Sequence, residues 1–507
     1  MTISFTPAAA HLTDATHHGD AARGNVAASD RAIAALQQVL AGQADHDKIL
    51  LRAAAGAGKS VALVRMVATA LEHPKCHRVA VTAFANKQVF PLAGSLGTEL
   101  GAAMVCLFVS KDWLDDIPDH VLSAVTVATG LNDIPDTARV VLGTSHKLGA
   151  MYYRTRWSQL GSAANGERPF DVLFVDEAWQ LPLHRYATVE KLAPLSVGVG
   201  DVGQLPPIDP SENPWRGDPG YNPYRAWPTA FESLDGTVTI DLPAVWRPTA
   251  AQLPLWRAFY SDWDRLDCVA GPGDRRIDLP PLDGAVRTVW EAVATGAPTL
   301  LEIDGLPDAE APDIDQPLLD ELERLLEPLL AGGFSAISAR HDGAWQPAGE
   351  KVIDSADPGE DPLVVILATR NQAVDDAAEM VERLTTRLDL PEGVLRASTV
   401  DSWQGQTNAI TIAIHPLSGA DKLDDFNSAF GRLAVTCTRA THGLLMLARN
   451  GLNQLLDDAA AQPGTPLGEP GTRSLPRQTH QRILNTFNRA NLRLVLRGII
   501  WGGGVLL

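Results

Sequence analysis

Lys59 and Ser60 directly follow Ala53-Ala54-Ala55-Gly56-Ala57-Gly58, a run of small residues that suits one kind of chemistry. Small residues let backbone N–H groups converge on an anion. A lysine behind them neutralises phosphate oxygens, and the adjoining hydroxyl ligates Mg²⁺. The stretch reads as a loop for the β- and γ-phosphates of a nucleoside triphosphate, with Gly56, Ala57, Gly58, Lys59, Ser60 and Val61 at the nucleotide. Its first position is Ala53 rather than glycine, a mild change where the backbone torsion is open to alanine. A second group is the carboxylate pair Asp176-Glu177. Asp176 is placed to hold Mg²⁺ through water, and Glu177 to polarise an attacking water as general base. A third is Gln204, between Gly200-Asp201 and a rigid Leu205-Pro206-Pro207 turn, where a neutral amide contacts the γ-phosphate or the water.

These groups need elements to aim them. Ile49-Leu50-Leu51 is a buried strand leading into the loop, and Val61 to Leu71 reads as the helix that follows it. Phe170 to Val175 is a run of large apolar residues ending at the two acids, as expected of a buried parallel strand with carboxylates at its C-terminal edge. Apolar β-branched runs alternate with Ala- and Leu-rich helical patterns, so the fold class is α/β with parallel sheets. At 507 residues the chain is long enough for two or three domains.

Asp176-Glu177-Ala178-x-Gln180 followed by Gly200-Asp201-x-x-Gln204-Leu205-Pro206-Pro207 resembles superfamily 1 helicases. The branch nearest to this pattern is that of the nonsense-mediated-decay RNA helicase and its DNA-acting relatives. Other segments resemble the family in the same order, across roughly residues 30 to 450. Leu242 to Pro248, running on to Phe259-Tyr260, is similar to the aromatic–arginine motif, which implies that Trp246 stacks on adenine and Arg247 reaches the γ-phosphate. Val364 to Gln372 resembles the first strand of a second motor domain. Thr399 to Gln406 resembles the motif coupling nucleic acid to ATP, with Gly405 at the nucleotide. Arg432 to Ala440 resembles the last motif, with Arg439 as arginine finger. Val79 to Lys87 and Val140 to Lys147 resemble the family's strand-contacting motifs. The resemblance implies that Thr82, Phe84, Asn86, Thr144, Ser145, His146, Thr399 and Ser402 meet single-stranded nucleic acid, mainly through phosphates.

The resemblance implies two RecA-like domains, residues 25–240 and 241–455, with ATP and Mg²⁺ in the cleft between them. Residues 1–24 are expected to be a flexible N-terminus, and 456–507 a linker with a basic and apolar tail. The implied activity is an ATP-dependent helicase or translocase on single-stranded DNA or RNA, running 5′ to 3′. The alternative is a nucleotide-gated ATPase module that regulates a protein partner without unwinding. The sequence departs from the family twice: Ser29 to Ile33 holds no glutamine in register to read adenine, and Thr407 stands where a ribose-holding glutamate is usual. Both departures admit other nucleoside triphosphates.

The formal net charge of −19 is unusual for a protein acting on nucleic acid, but such a motor needs only a local basic or polar channel. Residues 301–330, within the acidic Pro-rich stretch 261–360, carry ten carboxylates against Arg324 alone, which reads as a solvated helix face, with a protein-docking surface as the alternative. Residues 470–507 carry six arginines and no acid, and Thr479 to Leu496 fits a basic amphipathic helix that packs on the acidic second domain, tracks a phosphate backbone or touches a membrane surface, the first two being favoured. The closing Ile499 to Leu507 could dock on the chain's own core or on a partner, but is too short to span a bilayer. Four cysteines without metal or disulfide spacing fit a reducing cytoplasm. The thirteen histidines form no ligand set by spacing, and His17-His18 falls in a polar N-terminus that lacks the pattern of a secretory signal.

Overall fold

The structure is a computed structural model. It describes residues 3–10, 14–150, 168–203, 222–261, 265–311, 313–359, 362–403, 405–424, 430–459 and 476–494, together with 153, 156–160, 205, 207, 213–214, 263 and 427.

The first eight strands are β1 (Lys48–Ala53), β2 (Val79–Ala83), β3 (Val105–Phe108), β4 (Thr126–Ala128), β5 (Val140–Thr144), β6 (Val172–Val175), β7 (Leu195–Asp201) and β8 (Thr237–Asp241). They form one sheet in the order β4-β3-β5-β2-β6-β7-β1-β8, with every pairing parallel. Strands β2, β3, β6 and β7 are buried along their whole length, which is why they read as continuous apolar runs rather than as alternations. Helix His18–Ala41 precedes β1, helices Lys59–Glu72 and Asn86–Leu100 lie in the crossovers, and the apolar faces of all three join the core that also holds β1 and β2.

Eleven further strands are described: β9 (Ala244–Val245), β10 (Asp267–Cys268), β11 (Arg275–Asp278), β12 (Thr299–Asp304), β13 (Ser335–His341), β14 (Pro347–Asp354), β15 (Val364–Ala368), β16 (Leu395–Thr399), β17 (Asn408–Ile414), β18 (Ala440–Arg449) and β19 (Asn488–Arg493). Six of them make a second parallel sheet, β16-β15-β17-β18-β12-β19. Strands β11, β13 and β14 form a small antiparallel sheet, and β9 pairs with β10. The chain is thus α/β with two large parallel sheets.

The motif-poor stretch 261–360 is integral to this architecture. It supplies β12, an interior strand of the second sheet between β18 and β19, and helix Gln316–Gly332, whose Leu318, Leu322, Leu325, Leu326 and Leu329 are buried in that sheet's core. Several of its acids are paired inside the chain rather than left to solvent. Asp315 accepts from Arg449 at 2.7 Å, Glu302 from Arg489 at 2.7 Å, and Glu323 from both Arg383 and Arg387 at 3.0 and 2.8 Å.

The basic C-terminal stretch also differs from expectation. It is a short helix, Pro476–Leu484, followed by strand β19, not one helix from 479 to 496. Strand β19 pairs with β12, so Arg489 and Arg493 sit beside Glu302 and Asp304, and opposite charges hold this edge. The terminal Ile499 to Leu507 lies outside the described residues. The N-terminus is also engaged: Thr6 bridges Arg489 by reciprocal backbone hydrogen bonds, Ile3 is buried, and helix His18–Ala41 begins inside the segment expected to be flexible. All four cysteines are free and buried, and no helix among the described residues is long and apolar enough to cross a membrane.

Candidate active site

Sheet order brings the chemistry together. Strands β6, β7 and β1 are neighbours, so their C-terminal ends deliver Asp176 and Glu177, Asp201, and the phosphate loop side by side. The loop leaves β1 at Ala53, and helix Lys59–Glu72 starts after Gly58, which has φ +90°. Gly56 has φ +73°, and a Cβ there would run into the Cβ of Arg247. Glycine at 56 therefore serves both the turn and the close approach of the aromatic–arginine segment. That segment is strapped to the loop, because Trp246 N–H donates to the Gly56 carbonyl at 2.7 Å.

A cavity of about 960 Å³ opens here. It is lined by Gly56 to Ala62, Asp176 and Glu177 on the first sheet's side, and by Gly405, Gln406, Thr407, Arg439 and Thr441 on the second. Trp246, 41% exposed, and Arg247 lie between them. All the nucleotide residues expected from the sequence, Gly405 included, share this one cavity. Thr407 stands in its wall, beside Gln406. Gln204 lies outside the described residues.

Electrostatics within the cavity follow from burial. Lys59 Nζ donates to Glu177 Oε1 at 2.6 Å. Burial alone would pull the Lys59 pKa down, but Glu177, Asp201 and Asp176 outweigh it and hold the ammonium above its ordinary range. Asp176 is 7% exposed, and its Oδ1 has no hydrogen-bond partner among the described residues. Burial, with Glu177 adjacent, pushes its pKa up to about 7, against the pull of Lys59. A buried carboxylate with an open oxygen, in the same cavity as Ser60, fits a divalent cation. Across the cleft, Arg247 donates to the Thr438 carbonyl at 3.0 Å, and burial with the like charge of Arg439 lowers its pKa to about 9. Arg439 is fully buried and donates to the Val435 carbonyl at 3.0 Å and the Thr438 hydroxyl at 3.0 Å. Two cations converging on one cavity suit a polyanion.

Glu177 has φ +48°, an uncommon conformation for a non-glycine residue and one that clusters at functional sites. Gln180 holds it there: its N–H donates to the Glu177 carbonyl at 2.8 Å, and its Nε2 to Glu177 Oε2 at 3.3 Å. Gln88 Nε2 in turn donates to Gln180 Oε1 at 2.8 Å, and Gln88 Oε1 accepts from Ala85 N–H at 3.0 Å. A hydrogen-bonded chain thus joins the exit of β2 to Glu177.

Three further residues hold the loop, and the sequence reading gave none of them that role. Tyr260 accepts from Ala55 N–H at 2.9 Å and donates to Asp201 Oδ1 at 2.8 Å. Trp256 Nε1 donates to the Ala55 carbonyl at 3.0 Å. Asn25 donates to the carbonyls of Ala57 at 2.9 Å and Ala244 at 2.7 Å, and accepts from Ala244 N–H at 2.8 Å. Tyr260 falls within the aromatic–arginine match, a signal that it is placed near the loop. For Asn25 no such signal exists.

The residues expected to meet nucleic acid divide into two groups. Strands β2 and β5 are adjacent, which brings Phe84 and Asn86 near Thr144 and His146. Phe84 is 43% exposed, and His146 and Ser402 are exposed. Thr82 and Ser145 are each 1% exposed, so the structure turns both hydroxyls inward and away from any contact surface. The reason is positional: Thr82 lies within the fully buried β2, and Ser145 starts the helix that Thr144 caps by accepting from Lys147 N–H at 3.2 Å. Thr399 Oγ1 accepts from Ser402 N–H at 3.0 Å, which shapes that turn.

No protein-family model matches the chain. No curated protein matches it either. Solved structures with a loose overall likeness include helicases. Arterivirus nonstructural protein 10, a helicase solved with DNA, has TM-score 0.39 and 16% identity, over 81% of this chain and 62% of that one. The PRRSV helicase has TM-score 0.36 and 14% identity, over 86% of this chain and 57% of that one. Pif1 helicase from Candida albicans has TM-score 0.30 and 14% identity, over 82% of this chain and 94% of that one. The chain therefore spans about three-fifths of the arterivirus structure's length.

Proposed function

We propose that this protein is an ATP-driven motor on single-stranded nucleic acid, a helicase or translocase of superfamily 1 type, moving 5′ to 3′. The observation that carries the proposal is the cavity where Lys59, Asp176 and Glu177 of one sheet face Arg439 of the other, with Arg247 between them. Phosphoryl transfer needs positioning and charge stabilisation, and a cleft that takes groups from two sheets can make both depend on closure.

When bound, Mg²⁺ neutralises phosphate charge, and Ser60 and Asp176 are the residues that would hold it. Lys59 begins in contact with Glu177, and the β- and γ-phosphates offer its ammonium a stronger partner. Its transfer to phosphate frees Glu177 to take a proton from water. The water oxygen then bonds to the γ-phosphorus, and the bridging oxygen leaves with ADP. Arg247 and Arg439 stabilise the charge on the transferring group. The chain Ala85–Gln88–Gln180–Glu177 runs from the neighbourhood of Phe84 and Asn86 to the base, and it offers a path by which a bound strand could bias hydrolysis. The exposed Phe84, His146 and Ser402 suit a sequence-tolerant grip on bases and phosphates.

The test is ATP turnover by the full chain with and without single-stranded DNA and RNA, using Lys59→Ala as blank. Stimulation by one strand type supports the motor and identifies its track. Lys59-dependent turnover that ignores both strands overturns it, and points to a nucleotide-gated module acting on a protein.

A further inference from the structure

A second cluster of chemistry-bearing side chains stands apart from the nucleotide's phosphates. His18 Nε2 lies 2.9 Å from Asp274 Oδ2, and His341 Nε2 lies 3.8 Å from Asp274 Oδ1. The ligand atoms of all three residues fall within 4.8 Å of one another. Metal bonds of about 2.0–2.1 Å in tetrahedral geometry place ligand atoms roughly 3.3 Å apart, and the two imidazole nitrogens lie 2.9 and 3.8 Å from opposite oxygens of the one Asp274 carboxylate. From these positions we infer that the protein binds a divalent transition metal, Zn²⁺ or a close analogue, through His18, Asp274 and His341.

The site is assembled from three remote elements. His18 opens helix His18–Ala41 with φ +52°, a left-handed conformation uncommon for histidine. It is held there because its N–H donates to the Val269 carbonyl at 2.7 Å, while His17 Nδ1 lies 2.8 Å from the Cys268 carbonyl. Asp274 ends the turn before β11, and its Oδ2 also accepts from Gly271 N–H at 2.7 Å. A Cβ on Gly271 would lie 2.5 Å from His18 Nε2, so only glycine leaves room for that imidazole. His341 closes β13. Trp345 covers the site, its ring centre 6.2 Å from that of His18 and 6.0 Å from that of His341. Side-chain exposures of 39% for His18, 16% for Asp274 and 13% for His341 describe a set that is shielded but still open to water on one side.

Two imidazoles and one carboxylate with an open coordination position suit Zn²⁺ or Fe²⁺ and discriminate against Mg²⁺, which prefers oxygen ligands. This separates the site from the Mg²⁺ requirement of the nucleotide cavity. The metal would clip the start of helix His18–Ala41 to the small antiparallel sheet. That helix carries Asn25, which holds Ala57 of the phosphate loop, and Trp345 lies 6.0 Å from Trp246. The clip thus sits one residue away from the aromatic wall of the nucleotide cavity.

The test uses the full chain, stripped with a chelator, and titrated with Zn²⁺ by calorimetry and with Co²⁺ by visible absorption. One Zn²⁺ per chain is expected, with a Co²⁺ band of imidazole–carboxylate type and a higher thermal midpoint on Zn²⁺ addition. His341→Ala and Asp274→Asn, tested separately, should each weaken Zn²⁺ by more than about 100-fold, while His120→Ala, at an exposed histidine elsewhere, should bind as wild type does. Mg²⁺ should not compete. Absence of a stoichiometric Zn²⁺ or Co²⁺ complex in the wild-type chain overturns the inference whatever the variants do. So does equal binding by the wild type and by whichever of the two ligand variants folds.

Discussion

Replacing Tyr260 with phenylalanine removes a single hydroxyl that serves two partners. That hydroxyl accepts from Ala55 N–H at 2.9 Å and donates to Asp201 Oδ1 at 2.8 Å, and the residue is only 3% exposed. In the variant Asp201 keeps the Gly203 N–H at 2.8 Å but loses a charge-assisted bond, and Ala55 N–H loses its acceptor in a buried setting. A hydrogen bond to a charged group is worth about 1.5–3 kcal/mol, and an orphaned buried donor costs about 1–3 kcal/mol. Since the ring itself is unchanged, no cavity term is added, and the expected loss is about 2.5–6 kcal/mol. Urea denaturation followed by tryptophan fluorescence should show it as a lower midpoint. The loop should also lose order, so the KM for ATP should rise about tenfold or more while kcat changes less. Trp256 Nε1 grips the same residue through the Ala55 carbonyl at 3.0 Å, so Trp256→Phe and Tyr260→Phe should be non-additive when combined. A Tyr260→Phe protein within about 0.5 kcal/mol of wild type, with unchanged KM, would refute the reasoning.

Two other outcomes follow from the site. Asp176 has its pKa raised to about 7 in the fold, so its contribution to stability is full below its unfolded pKa of 3.8 and is lost as pH rises towards 7. In the absence of nucleotide and Mg²⁺, Asp176→Asn should therefore gain stability over wild type progressively between those two pH values and hold that gain above them, while losing ATP turnover. A stability difference flat with pH in denaturant titrations would contradict this. Gln88→Met breaks the chain from Ala85 to Gln180 and Glu177 without touching nucleotide groups named as reacting. Its stimulation by a single strand should fall several-fold with basal turnover little changed, as read by ATPase assay with and without the strand; loss of both together would mean the chain only supports the site.

Much of the first site is legible locally. Small residues, Lys59 and Ser60 between an apolar run and a helical pattern require a strand–loop–helix, and the acids at 176 and 177 end a run that can only be a buried strand. These features depend on neighbours a few residues apart, where spacing and backbone geometry act directly. Periodicity was a poorer guide for Pro476 to Arg493, where Asn485, Thr486 and Phe487 separate a helix from β19 and the pairing of β19 with β12 decides its form. The acid-rich stretch looked like a solvated surface because its partners, Arg449, Arg383 and Arg489, lie 60 to 187 residues away.

By itself, then, the sequence determined the kinds of element and the candidate phosphate-binding residues they carry, since both are written in short-range spacing. Only the tertiary structure decided which elements are neighbours. The sheet order β6-β7-β1 sets Asp201 beside Lys59 and Glu177, Tyr260 reaches a loop residue 205 positions earlier, and Asn25 ties Ala57 of that loop to Ala244, 219 positions after itself. The same holds for His18 and Asp274, 256 positions apart, which meet His341 in the candidate metal site. Such meetings are set by the summed packing of whole sheets, a property that no local pattern encodes.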